Sequence, residues 1–185
     1  MQHHYQDLIT IFNRAFLDSH NTELVKGGDE PIYLPADAKR QHHQIVFAHG
    51  YFASALHEIS HWLVAGDARR LLEDFGYWYC PDGRDQTTQL KFEQVEIKPQ
   101  AIEWALATAC GFKFNVSSDN LDGWQSDRVK FKQLVHHKVL ELVTQGFNQR
   151  TTMLLKCLAD FYHTGPQTAS SFDYLPRKSV FLESL

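Results

Sequence analysis

The stretch "YFASALHEISHWLVA" (51–65) constrains the fold more than any other, because Glu58 is its single carboxylate and it holds no lysine or arginine. The pattern predicts a helix that is apolar on nearly every face, and such a helix belongs in the middle of a core. Gly66 is expected to end it in a left-handed conformation, and Asp67 to cap a following polar helix, "ARRLLEDFG". His57, Glu58 and His61 go into the interior with the helix, where polar groups without partners are costly. Residues four apart share a helix face, so His57 and His61 can aim a ring nitrogen each at one ion. Ligands of this kind bind as neutral imidazoles. A metal centre on a central buried helix is therefore expected.

The rest of the chain reads as one α+β domain dominated by helices, with a small sheet. Its 185 residues suffice for a sizeable core. A helix is predicted over 5–17, from Tyr5, Leu8, Ile9, Phe12 and Phe16, with a short edge strand at Ile32–Leu34 between prolines and a strand in "QIVFAHG" (44–50). "KFEQVEIKP" alternates imperfectly and reads as a strand, with Pro99 opening a helix over 100–110 that Gly111 stops. Loop follows through "GFKFNVSSDNLDGW", then amphipathic helices over about 126–145 and 150–162. The single domain is expected to span 1–163, with 164–185 as a loose tail.

A net charge of −4 points away from nucleic acid and anionic membranes. No charged-then-apolar leader and no run of membrane-spanning length is visible, so a cytoplasmic protein is expected. Cys80, Cys110 and Cys157 are odd in number and form no CxxC, which fits reduced thiols.

Two histidines need a third ligand. The continuation found in metzincins would put Gly at 64 and His at 67, where this chain has Val64 and Asp67. Glu103 is the leading candidate, as the one charged residue of "PQAIEWALATACG", followed by Asp67 and then Glu96. Two histidines and a carboxylate hold Zn²⁺ in thermolysin-type peptidases, where the Glu after the first His is the general base. The same set holds Fe(II) in non-haem oxygenases. Spacing leaves that choice open.

"DEPIYLPAD" (29–37), "IVFAHG" (45–50), "ASALHEISHW" (53–62), "DFGYWYCPDGRD" (74–85), "KPQAIEW" (98–104) and "FNVSSDNL" (114–121) together resemble the bacterial elongation factor P hydroxylases. The likeness runs from about residue 5 to about 163. It implies a hydroxylase acting on the β-lysylated lysine of elongation factor P, and a fold similar to a metal-dependent endoribonuclease family. It also implies a two-His-one-carboxylate centre, which would fall on His57, His61 and Glu103 and hold Fe(II), with Zn²⁺ as the alternative and O₂ as cosubstrate. Under this reading Glu58 is a catalytic residue that hydrogen-bonds a bound water or orients a ligand, and His49 supports the centre from behind. Asp82 and Asp85 would pair with substrate amines, and Tyr77 and Trp78 would wall them by cation–π contact. The rivals are a zinc metallopeptidase and a metal-dependent RNA hydrolase.

Overall fold

The computed structural model describes residues 2–75, 82–118 and 120–173. The first helix, α1 (Tyr5–His20), buries Leu8, Ile11, Phe12 and Phe16 and ends at Asn21, whose φ of 48° is left-handed. Three short strands follow: β1 (Thr22–Lys26), β2 (Ile32–Leu34) and β3 (His43–Phe47). They form one sheet in the order β1-β3-β2, with β3 parallel to β1 and antiparallel to β2. β2 is the edge strand expected from its prolines. β1 was not legible in the pattern, being five residues long with only Thr22 and Leu24 buried.

The chain leaves β3 through His49 and Gly50, both at positive φ (55° and 73°), and turns into α2 (Phe52–Val64). This is the central helix the sequence predicts, with Ala55, Leu56, Ile59 and Leu63 at 1% exposure or less. Its C-terminal end differs from the expectation. Ala65, not Gly66, is the cap residue, at φ −60°. The terminal carbonyls are satisfied by guanidinium groups: Arg150 donates to the oxygens of Trp62, Leu63 and Ala65, and Arg70 donates to Ala65. Cations at a helix C-terminus also complement its dipole. Asp67 caps nothing. It pairs with Arg70 at the surface, and the expected polar helix is reduced to a 3₁₀ turn at Arg69–Leu71.

The largest correction concerns residues 86–109. The expected strand and the helix after it are one 24-residue helix, α3 (Gln86–Ala109), with Pro99 inside it. Pro99 has no N–H for the carbonyl of Val95, a defect that costs about 3 kcal/mol. The packing of the long helix against its neighbours offsets it. Gly111, at φ 63°, follows the end of α3 as expected. Loop leads to α4 (Arg128–Gln145), capped by Asp127, and then to α5 (Gln149–Tyr162), capped by Asn148. Residues 164–173, expected to be loose, lie against the core: Phe172 is 1% exposed and Gln167 donates to the carbonyl of Ala105. The result is a helix-dominated domain with a small sheet, in which α3 packs on α2, α4 and α5. No helix among the described residues is long and apolar enough to cross a membrane.

Candidate metal centre

His57 and His61 sit one turn apart on α2 with their side chains 25% and 12% exposed. Their Nε2 atoms are 3.0 Å apart. α3 crosses this face and brings two carboxylates to it from residues two turns apart, about 10 Å along the helix. Glu96, whose side chain is 3% exposed, places Oε1 3.3 Å from His61 Nε2 and Oε2 3.8 Å from His57 Nε2. Glu103 lies on the other side of the first imidazole, with Oε2 2.8 Å from His57 Nδ1. A carboxylate accepts from that nitrogen, so Nδ1 carries a proton, and Nε2 is the nitrogen that faces His61 and Glu96.

One ligand atom each from His57, His61 and Glu96 therefore lies within 4.8 Å of the other two. Nitrogens held about 2.1 Å from one ion are separated by roughly 3.0–3.4 Å at angles between square and tetrahedral, which accommodates the observed pair. Charge argues in the same direction. Two buried carboxylates, Glu96 and Glu103, meet the two imidazoles, with Glu58 half-buried beside them, and such a group needs a cation. Burial opposes a charge on His57, but the Glu103 hydrogen bond and the charges of Glu103, Glu96 and Glu58 raise its pKa well above the ordinary value. His61 is held well below that value by burial, His57 and Arg69. Without a metal, one proton serves as the cation. A divalent ion fits the same donor set.

Glu58 is half-buried and faces a cleft also lined by His61, Tyr33, Trp62, Arg69 and Asp74. No hydrogen bond or ion pair reaches its carboxylate from the described residues. Burial pushes its pKa up to about 7, with Glu96, Glu103 and Asp74 adding to the effect and His57 opposing it.

The other residues singled out from sequence are not brought to this cluster. Asp67 is at the surface with Arg70. His49 is exposed, 3.7 Å from Asp29 and against the ring of Tyr51. Asp85 caps α3 by accepting from the Thr88 amide, and Asp82 accepts from the amides of Gly83 and Asp122, closing one loop onto another. Tyr77 and Trp78 lie outside the described residues. The place of Glu96 was underrated from sequence. The signal for it is a polar series on α3, Gln89, Glu93, Glu96, Gln100 and Glu103, which repeats at helical spacing and is buried throughout.

Comparison with known proteins places the chain in a family. Residues 11–172 match the family described as elongation factor P hydroxylase. The chain is 54% identical over 164 residues to the elongation factor P lysine hydroxylase of Haemophilus influenzae, covering 89% of this chain and 92% of that relative. A two-histidine, one-carboxylate cluster at the head of a cleft is thus set within a sequence matched along most of its length, and the chain belongs to the elongation factor P hydroxylase family.

Proposed function

We propose that this protein hydroxylates the β-lysylated lysine of elongation factor P in the cytoplasm, using O₂ and a non-haem Fe(II) ion held by His57, His61 and Glu96. The observation that carries the proposal is the convergence of two imidazole nitrogens and one carboxylate, the ligand set of non-haem iron oxygenases. Iron bound there would supply the activation of O₂ that an unreactive C–H bond requires. The balance is R–H plus O₂, two electrons and two protons to R–OH plus water, with a reductant providing the electrons.

The protein's own groups do the rest. Glu103 takes the His57 Nδ1 proton in a hydrogen bond, which leaves Nε2 free to ligate and fixes the ring plane. α2 holds both imidazoles rigidly, because its flanks are packed and its end is tied down by Arg150. Trp62 and Tyr33 line the cleft beside His61 and exclude water from it. An amine-bearing side chain entering the cleft meets the carboxylate of Glu58, while Asp74 is already paired with Arg69. Burial raises the Glu58 pKa in the metal-free protein, and a cation bound beside it would favour the carboxylate.

Glu58 beside the ligands also favours a second reading, a zinc peptidase with Glu58 as general base. Metal analysis of protein purified without oxygen, together with mass spectrometry of modified elongation factor P, separates the two. Stoichiometric iron and a mass gain of one oxygen atom support the hydroxylase. Zinc, with peptide cleavage abolished in Glu58→Gln, would overturn it.

A further inference from the structure

A carboxylate that binds metal through one oxygen has to be held in rotation, because the terminal torsion of a glutamate side chain is soft. In this protein one residue is placed to do so. Gln100 follows Glu96 by one turn on α3 and is 1% exposed. Its Oε1 accepts from the amide of Ser117 at 3.1 Å, and its Nε2 donates to the carbonyl of the same residue at 2.7 Å. Pairing with both backbone groups of one residue decides which end of the amide is oxygen and which is nitrogen. One N–H of Nε2 is left over, and Oε2 of Glu96 lies 3.2 Å from that nitrogen. The other Glu96 oxygen is the one nearer to His61.

We infer that Gln100 is a positioning residue for the metal centre: its amide, locked by the backbone of Ser117, holds the Glu96 carboxylate turned toward His61 and His57. The inference rests on Glu96 being the carboxylate ligand. It assigns to the loop around Ser117 a role in the centre that no ligand residue of that loop explains. α3 also supplies an internal control. Gln89, three turns earlier, is fully buried and donates to the next carbonyl, that of Ser118. Its other contacts are Glu93 and Arg84, not Glu96. Gln89 and Gln100 thus anchor the same loop, and only Gln100 touches the ligand.

The test is a cobalt(II) titration of the metal-free protein, followed by visible absorption, with the melting temperature of the metal-free form measured beside it. Gln100→Leu is expected to weaken cobalt affinity about 10- to 100-fold, the usual effect of removing a partner behind a ligand, and to change the cobalt spectrum. Gln89→Leu is expected to lower the melting temperature by a similar amount with wild-type cobalt affinity. If Gln100→Leu does not fold, Gln100→Met replaces it, since it is uncharged and of similar length but offers no N–H to Glu96. Cobalt affinity equal to wild type in the Gln100 variant, or equal weakening in Gln89→Leu, overturns the inference. Glu96→Ala keeps that result separate from the ligand assignment: full affinity in Glu96→Ala would refute the ligand set itself.

Discussion

The Nδ1 of His57 lies 2.8 Å from Oε2 of Glu103, on the side of the ring away from His61. Glu103 therefore meets the nitrogen that cannot share an ion with His61, while Glu96 meets the pair that can. The two glutamates have different work, and their removal has different consequences. Glu96→Ala is expected to abolish stoichiometric iron. Glu103→Ala is expected to keep the site but weaken it about 10- to 100-fold, because His57 loses the partner that fixes its tautomer. Iron content after dialysis against a graded chelator series measures both, and complete loss in Glu103→Ala with retention in Glu96→Ala would reverse the two roles.

Arg150 reaches from α5 to three carbonyls at the end of α2 and lies over the ring of Trp62, 4.6 Å from its centroid. Arg150→Met keeps much of the packing but takes the guanidinium from all three carbonyls, of which Leu63 keeps Asn148 and Ala65 keeps Arg70 as donor. Hydrogen bonds to a charged group are worth about 1.5–3 kcal/mol each when buried. Arg150 is only half-buried, and a net loss of about 2 kcal/mol is expected. For a domain of this size that lowers the melting temperature by about 4–8 °C. An unchanged melting curve would show that α2 ends securely without the guanidinium.

Asp85 was expected from sequence to meet a substrate amine, and in the structure it caps α3. Substitution separates the two roles, because Asn caps a helix as well as Asp does and carries no charge. Asp85→Ala is expected to cost about 1 kcal/mol, whereas Asp85→Asn is expected to melt with the wild type. Thermal unfolding checks the cap. A raised KM in Asp85→Asn, with stability intact, would show that substrate uses the charge.

The sequence exposed α2 and concealed α3, and the difference is physical. The buried face of α2 is apolar apart from Ser60, with His57 and His61 beside it, so periodicity finds it. The buried face of the N-terminal half of α3 is made of Gln89, Glu93, Glu96 and Gln100, while Leu90 and Val95 are exposed. A reading that equates apolar with buried then takes "KFEQVEIKP" for a strand and Pro99 for a beginning. The same assumption put Glu103, alone among apolar neighbours, ahead of Glu96, which is the carboxylate that groups with both imidazoles. Glu96 was hidden among polar residues whose burial depends on partners distant in sequence: Gln89 and Gln100 on Ser118 and Ser117, and Glu96 on His57 and His61. Of the tail expected over 164–185, residues 174–185 lie outside the described residues; in 164–173, Thr164, Gln167 and Phe172 are spread among small and polar residues, yet each meets α3 or α4.

Phe172 closes the core from that segment. It is 1% exposed, its ring meets Trp104 edge-on at 6.1 Å, and its carbonyl lies 2.8 Å from His136 Nε2 on α4. Trp104 adjoins Glu103, so this contact supports the stretch of α3 that presents the partner of His57. Phe172→Ala leaves a cavity the size of a phenyl ring, and truncations of this kind cost about 3–5 kcal/mol in a well-packed core. The lower end is expected here, because Phe172 lies in a short 3₁₀ turn that can settle into the space. A fall of about 6–12 °C in melting temperature should follow, with weaker iron retention as α3 loosens. A chain cut after residue 165 should behave like Phe172→Ala or worse. Wild-type stability in both would mean that the segment rests on the domain without supporting it.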